Sequence, residues 1–154
     1  GHEVGNHSYT HPHMAQLGRE EIVQELNRTN ELIKELTGEE PDLFRPPFGE
    51  YNNRLIETSR AEGYHVIQWS IDSLDWKDVS TDFIVKTVIK DISPGEIILM
   101  HNNGSHTAEA LERIIPKLKE KGYQIVPLSE LIYKDNYQIE SHSGIQKYRG
   151  VDQE

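Results

Sequence analysis

The feature that most constrains the fold of this chain is an alternation of short apolar strands with amphipathic helices. Apolar residues recur at helical spacing through residues 19–37, and Gly38 follows as a natural C-terminal stop. The run Ile-Ile-Leu-Met at 97–100 is apolar throughout, as expected of a strand buried on both faces. The alternation therefore predicts parallel β/α units, closed into a barrel with helices outside.

The predicted elements leave the sheet short of a complete barrel. We predict helices over 19–37, 53–62, 80–92, 107–121 and 128–133, and strands over 43–45, 64–69, 97–100 and 123–126. Four strands compare with roughly eight in a closed barrel, so either the sheet is open or its first strands are absent. From Lys134 the composition turns polar, and we expect residues 134–154 to form an irregular or partly disordered tail.

Composition excludes several classes of function. The chain has 154 residues, one domain's worth, and its formal net charge of -10 disfavours binding to nucleic acid. No apolar stretch is long enough to cross a bilayer, and nothing resembles a signal peptide. The absence of cysteine excludes disulfides, thiol catalysis and zinc–thiolate sites.

Polar residues of types that can take part in catalysis or metal binding lie in four segments of the chain. They are the segments 5–11 (Gly-Asn-His-Ser-Tyr-Thr-His), 45–49 (Arg-Pro-Pro-Phe-Gly), 72–76 (Asp-Ser-Leu-Asp-Trp) and 99–101 (Leu-Met-His). If the strands are parallel, all four lie on the rim where strands end and loops begin. His7 and His11 are four residues apart, and a helical turn would let both imidazoles close on one metal ion.

Each segment also has a simpler interpretation on its own. The histidine pair could be a polar surface loop, and Arg45 before two prolines a rigid turn with a solvated cation. Asp75 could cap the following segment, and His101 could be a hydrogen-bonded structural histidine. The aromatic residues Tyr9, Phe48 and Trp76 could be packing residues. The convergence of all four segments favours a functional site more than any one of them does.

In this order, the four segments resemble the motifs of the polysaccharide deacetylase family, the NodB-homology domain of carbohydrate esterase family 4. The resemblance spans roughly residues 1–131. It implies a deformed (β/α) barrel over residues 1–133, followed by the polar tail 134–154. It also implies a metal-dependent hydrolase that removes acetyl groups from N-acetylglucosamine polymers such as peptidoglycan or chitin.

The resemblance assigns a role to each matching residue. His7 and His11 match metal ligands, for which zinc is expected, with cobalt or nickel as alternatives. The remaining matches are His101 as catalytic acid, Asp75 as the aspartate that orients it, Arg45 as the arginine that holds the catalytic base, Phe48 as the backbone donor to the oxyanion, Trp76 and Leu99 as the acetyl pocket, and Tyr9 as a further substrate contact. Asp72 is close enough to compete with Asp75.

One family motif is missing from the sequence. The Thr-Phe-Asp-Asp motif, whose aspartates supply the general base and the third metal ligand, does not occur, and Asp42, Asp72 and Asp75 stand in other contexts. We therefore expect a domain truncated at its N-terminus, with weak zinc affinity, little deacetylase activity and no carboxylate partner for Arg45. An uncovered barrel edge should favour self-association.

Two alternatives to a polysaccharide deacetylase stay open. The chain could be a degenerate carbohydrate-binding module that has lost catalysis, or a deacylase of the same superfamily that acts on a small acylated substrate. The glycan substrate implies a secreted or cell-surface location in a bacterium.

Overall fold

The computed structural model of the protein describes residues 1–90, 92–140 and 143–150, and it consists of short strands joined by helices. The helices are α1 (Arg19–Thr37), α2 (Asn53–Ala61), α3 (Thr81–Lys90), α4 (Thr107–Glu120) and α5 (Leu128–Leu131). The strands are β1 (Leu43–Phe44), β2 (His65–Val66), β3 (Ile71–Asp72), β4 (Ile98–Leu99), β5 (Tyr137–Ile139) and β6 (Gln146–Tyr148). Three single 3-10 turns lie at Met14–Gln16, Pro47–Gly49 and Asp75–Lys77.

The chain divides into two compact units. Unit 1 comprises Gly1–Gln68 and Pro127–Glu154, and unit 2 comprises Trp69–Val126. Each unit has its own apolar core. The core of unit 1 contains Met14, Ile22, Leu26, Phe44, Leu55 and Tyr64, and that of unit 2 contains Ile84, Val85, Val88, Ala110, Ile114 and Leu118.

In unit 1, β1 and β2 pair in parallel, with Leu43 opposite His65. Helices α1 and α2 pack against each other. Specific residues cap both ends of α1. The Glu21 carboxylate accepts a hydrogen bond from the Gly18 N–H at the start, and Gly38 ends the helix with φ of 79°. A left-handed residue at this position costs least for glycine, which explains the predicted stop.

In unit 2, β3 and β4 also pair in parallel, with Ile71 opposite Ile98 and Asp72 opposite Leu99. Helices α3 and α4 enclose the core, and Pro116 lies inside α4. Both strand pairs that alternate with helices are therefore parallel, which confirms the predicted β/α organisation.

Three regions differ from the sequence prediction. The predicted strand 64–69 is limited to His65–Val66, and a strand that was not predicted follows at Ile71–Asp72. Residues 123–126 form no strand: the Tyr123 N–H bonds back to Leu118 and Ile125 is 57% exposed, so no neighbouring backbone pairs with this segment in the described part of the chain. The polar tail, expected to be irregular, contains the antiparallel pair β5–β6. Lys147 of β6 forms an ion pair with Glu140, the residue that directly follows β5. Position 91, inside the predicted third helix, and positions 141, 142 and 151–154 lie outside the described residues.

No helix in the described ranges combines the length and the apolar character needed to cross a membrane.

Candidate functional site

In unit 1, the histidine loop is attached to the core through Asn6. The Asn6 N–H donates to Leu43 O at 2.8 Å and the Arg45 N–H donates to Asn6 O at 2.9 Å, so this residue bridges to β1. The Asn6 side chain is only 1% exposed, and its Nδ2 donates to Leu26 O at 2.9 Å. Its Oδ1 accepts the Ser8 N–H at 2.9 Å. Because a buried amide is costly unless it is bonded, this network fixes the backbone on both sides of His7.

A single carboxylate of α1 holds the next part of the loop. Glu25 Oε2 accepts the N–H groups of Tyr9 and Thr10 at 2.8 and 2.7 Å, and Glu25 Oε1 accepts the Thr10 hydroxyl at 2.7 Å. Burial alone would raise the pKa of Glu25, but these hydrogen bonds and Arg28 outweigh it and lower the pKa below its ordinary value.

The loop brings its two histidines together without the helical turn that the sequence suggested. Ser8 and His11 have φ of 69° and 56°, and the His11 N–H bonds to Ser8 Oγ at 2.9 Å. The His7 and His11 ring centroids lie 5.0 Å apart at an interplanar angle of 76°. Left-handed residues, stabilised by local side-chain hydrogen bonds, thus bring the two imidazoles close together, as a helical turn was expected to do.

The His7 ring has a defined tautomer. Its Nδ1 lies 2.6 Å from Arg45 O, and because a carbonyl oxygen only accepts, Nδ1 carries the proton and Nε2 the lone pair. This is the usual arrangement of a metal-ligating imidazole, whose second nitrogen donates to a carbonyl or carboxylate. The two imidazoles fit a divalent metal in donor chemistry. They are an incomplete set, since no group of three or more ligating side chains occurs among the described residues.

Phe48 lies against the same loop in a constrained backbone conformation. Its φ is 58°, its side chain is 54% exposed, and its ring meets His11 edge-on with centroids 4.6 Å apart. On its other side the His13 ring stacks at 4.3 Å, and His13 Nδ1 lies 2.9 Å from Glu50 Oε2. A left-handed aromatic residue is uncommon and marks a position at which the surrounding structure determines the backbone.

Arg45 and Tyr9 provide the remaining predicted residues of unit 1. The Arg45 side chain is half-buried, and this burial lowers the pKa of its guanidinium. No carboxylate of the described residues forms an ion pair with it. Tyr9 is 42% exposed, and the Arg28 guanidinium lies 3.8 Å from its ring centroid, a cation–π contact.

In unit 2, Asp75 and His101 form a hydrogen-bonded pair. His101 Nδ1 lies 2.7 Å from Asp75 Oδ1, and the His101 backbone N–H donates to Asp75 Oδ2 at 2.7 Å. The Asp75 side chain is fully buried, whereas that of His101 is 31% exposed. One carboxylate thus binds both the ring and the backbone of His101, which fixes the Nδ1–H tautomer and leaves Nε2 with the lone pair, as the atom that can take up and give back a proton.

A third donor completes the environment of Asp75. The Thr107 hydroxyl, at the first residue of α4, donates to Asp75 Oδ2 at 2.6 Å. Burial alone would raise the pKa of Asp75, but the hydrogen bonds from Thr107, His101 and Ser73 outweigh it and lower the pKa to about 2. The carboxylate is therefore held as an anion beside the imidazole.

The structure separates Asp72 from Asp75. Asp72 Oδ1 accepts the Leu74 N–H at 2.9 Å, a local turn contact, whereas Asp75 contacts His101. Trp76 follows in the same 3-10 turn and is 55% exposed, with Lys77 Nζ 5.0 Å from its ring centroid. Leu99, paired with Asp72 in β4, is 6% exposed.

The predicted residues thus fall into two local clusters. His7, His11, Phe48, Arg45 and Tyr9 lie in unit 1, and Asp75, His101, Trp76 and Leu99 lie in unit 2. Sequence reasoning missed Asn6, Glu25 and Thr107. Glu25 and Thr107 looked like an ordinary helix-surface acid and a helix-start threonine, and nothing in their own segments indicates which partners they bind.

Known proteins resemble this chain in sequence. The family model described as polysaccharide deacetylase matches residues 1–67. The chain is 37% identical over 135 residues to a peptidoglycan-N-acetylglucosamine deacetylase of Bacillus cereus, a match that covers 85% of this chain and 49% of that protein. The chain therefore spans about half the length of this curated relative.

Solved structures give a consistent result. The crystal structure of a wild-type CE4 family pseudoenzyme from Bacillus anthracis superposes with a TM-score of 0.80 at 40% identity, covering 84% of this chain and 46% of that one. A mutant of the same pseudoenzyme, described as having restored enzymatic activity, gives a TM-score of 0.81 at 41% identity, covering 84% and 47%.

Proposed function

Because this chain belongs to the polysaccharide deacetylase family, we propose that it hydrolyses the N-acetyl group of N-acetylglucosamine residues in a bacterial cell-wall polysaccharide. The product would be a free amine on the sugar together with acetate. The relative from Bacillus cereus supports peptidoglycan as the substrate class.

The Asp75–His101 pair is the observation that carries the proposal. An amine leaves an acyl carbon poorly unless it is protonated, which requires an acid at the leaving nitrogen. His101 Nδ1–H is bonded to a buried carboxylate, so Nε2 is the atom that gives the proton to the leaving amine. The Asp75 carboxylate lies 2.7 Å from Nδ1 and so stays bonded to the ring while Nε2 transfers its proton.

The residues of unit 1 have complementary roles in this proposal. His7, whose Nδ1 is bonded to Arg45 O, would bind a divalent metal through Nε2, together with His11. When bound, such an ion supplies Lewis-acid polarisation and a more acidic water. The Phe48 N–H, in its constrained conformation, would donate to the developing oxyanion, a contact typically worth about 10²–10³ in rate.

We expect zinc at this site, with cobalt and nickel as alternatives, because two imidazole nitrogens and one carboxylate from a further segment would suit all three ions. Trp76 and Leu99 would form the apolar contact for the acetyl methyl, and Tyr9 a contact to the sugar. The two parallel strand pairs would belong to the deformed (β/α) barrel of the family, and the protein would act at the bacterial cell surface.

The catalytic base and third metal ligand have no candidates at matching positions of this sequence. The Thr-Phe-Asp-Asp motif would have to be supplied by a further segment, and Arg45 would then pair with its carboxylate. We accordingly propose that the 154 residues alone have little activity, and that adding a segment with this motif to their N-terminus restores it.

The test is acetate release from chitooligosaccharide and from peptidoglycan. The 154-residue chain and an N-terminally extended polypeptide carrying the motif would be assayed with zinc and with a chelator. We expect release only by the extended form with zinc. His101→Gln should lower that release by about 10²–10⁴-fold, whereas His106→Gln, a matched change in unit 2, should not. An inactive extended form, or equal effects of the two variants, would refute the proposal.

A non-catalytic carbohydrate-binding module is the second candidate function. The observation that favours it is the 40% identity to a wild-type pseudoenzyme, combined with the missing motif. In that case both forms would sediment with insoluble peptidoglycan and neither would release acetate. Release of acetate only from a small acylated compound would instead indicate the deacylase alternative.

A further inference from the structure

We infer that Thr107 is a positioning residue, which holds Asp75 in the orientation that keeps the His101 proton on Nδ1. The consequence for catalysis rests on the proposed function, but the positioning itself does not. Asp75 accepts three hydrogen bonds, from the His101 ring, the His101 backbone N–H and the Thr107 hydroxyl. Ser73, which also helps to lower the Asp75 pKa, is two residues away in the same loop, whereas Thr107 is the contact that ties the pair to another element, α4.

The Thr107 hydroxyl occupies space that a glycine leaves open. A Cβ added to Gly104 would lie 2.1 Å from Thr107 Oγ1 and 3.2 Å from Asp75 Oδ2. The backbone of Gly104 is outside the left-handed region, so a side chain is excluded by contact and not by conformation. The loop between His101 and α4 therefore needs glycine at 104 for the hydroxyl to reach the carboxylate.

The chemical reason for such a contact lies in the carboxylate's freedom to rotate. If Asp75 turns about its Cβ–Cγ bond, Oδ1 leaves the line of the imidazole Nδ1–H, and the ring loses its preference for that tautomer. The hydroxyl, buried with Thr107 at 8% exposure, opposes this rotation by holding Oδ2. Acid catalysis from Nε2 depends on the neutral ring returning to the Nδ1–H form after each proton transfer.

An ordinary structural threonine in the same unit provides a matched control. Thr81 is also the first residue of a helix, is also 8% exposed, and donates its hydroxyl to Glu109 Oε2 at 2.8 Å. A Thr→Val change there removes the same kind of bond from the same kind of position. The carboxylate that it affects is not bonded to His101.

The experiment is nitrogen-15 NMR of the histidine rings of the 154-residue chain at a pH where they are neutral, with His101 signals assigned by their loss in His101→Gln. We expect the unaltered chain to show His101 mainly as the Nδ1–H tautomer. Thr107→Val should lower the ratio of Nδ1–H to Nε2–H by roughly three- to tenfold, the range expected from loss of one ordinary hydrogen bond. Thr107→Ser, which keeps a hydroxyl, should restore it, and Thr81→Val should leave it unchanged.

A second measurement covers the case in which Thr107→Val does not fold. Gly104→Ala should destabilise the protein in the presence of Thr107 and should cost clearly less in a Thr107→Ala background, where the closest clashing atom is gone and only the contacts with Asp75 at 3.2 and 3.3 Å are left. The inference is overturned if Thr107→Val leaves the tautomer ratio unchanged, if Thr81→Val alters it equally, or if Gly104→Ala costs the same in both backgrounds. None of these outcomes depends on acetate release, so they are distinct from failure of the proposed function.

Discussion

Replacing Asp75 by asparagine should change the acid sensitivity of unit 2. The carboxylate is 1% exposed and accepts three hydrogen bonds, and its pKa of about 2 compares with an ordinary value of 3.8. A carboxyl whose pKa is lower in the folded protein stabilises it at pH values above the unfolded pKa. That stabilisation is lost as the pH falls through the folded value.

The magnitude follows from the difference between the two pKa values. At about 1.36 kcal/mol per pKa unit, lowering the pKa from 3.8 to about 2 corresponds to about 2 kcal/mol of stability. This contribution should be fully present above pH about 4 and should disappear between pH about 4 and about 2. Asparagine does not titrate in this range. Its NH₂ group would also face a group from which Asp75 accepts a hydrogen bond, and two donors cannot bond each other. Asp75→Asn should therefore cost at least about 2 kcal/mol at pH 7.

Tryptophan fluorescence is a suitable assay, because both tryptophans, Trp69 and Trp76, lie in unit 2. Urea unfolding of the unaltered chain and of Asp75→Asn at several pH values from 2 to 7 gives the difference in unfolding free energy. Subtracting the variant removes the contribution of the other carboxylates. Asp72→Asn is the control for the substitution at neutral pH, and it should cost less because Asp72 accepts one local bond.

We expect the difference between the unaltered chain and Asp75→Asn to shrink by about 2 kcal/mol as the pH falls from 5 to 2. A difference that stays constant over this range would refute the reasoning. It would mean that the hydrogen bonds lower the pKa of Asp75 by no more than burial raises it.

Two further predictions concern unit 1. Asn6→Ala should lower the unfolding free energy by about 1–3 kcal/mol, because it leaves Leu26 O and the Ser8 N–H without their hydrogen bonds to the buried amide. Chemical denaturation measures this difference. A cost below about 0.5 kcal/mol would contradict the described network. The 154-residue chain should bind zinc weakly, since His7 and His11 are an incomplete ligand set. Calorimetry should show that His7→Ala reduces this binding and that His65→Ala, the control, preserves it. A low-nanomolar affinity would contradict the expectation.

Much of the fold could be predicted because its signals are local. The apolar spacing in α1 and the glycine that follows it lie within a few residues of each other, and the structure has the helix at Arg19–Thr37 as predicted. Residues 123–126 carry an equally good strand pattern, but a strand also needs a partner, which the sequence does not identify. The hairpin β5–β6 was missed because its composition is polar. Each strand forms because the other is present to pair with it, and not because of an apolar pattern of its own.

The candidate site shows the same limit. His7, His11 and His101 were found because their residue types and order are distinctive. The sequence did not decide between Asp72 and Asp75 as the partner of His101, since both come shortly after the predicted strand 64–69. The left-handed Leu74, with φ of 59°, lies between them and turns the chain so that Asp75 meets the histidine.

The bond between His7 Nδ1 and the carbonyl of Arg45 has a consequence for how this protein can change over evolution. Residue 45 holds the His7 ring through its main-chain oxygen, which any residue has, whereas the half-buried guanidinium depends on the residue being arginine. Natural variants with a neutral side chain at 45 would lose the cation and still present the histidine in the same tautomer. The orientation of the His7 ring is therefore open to inheritance without the charge at position 45.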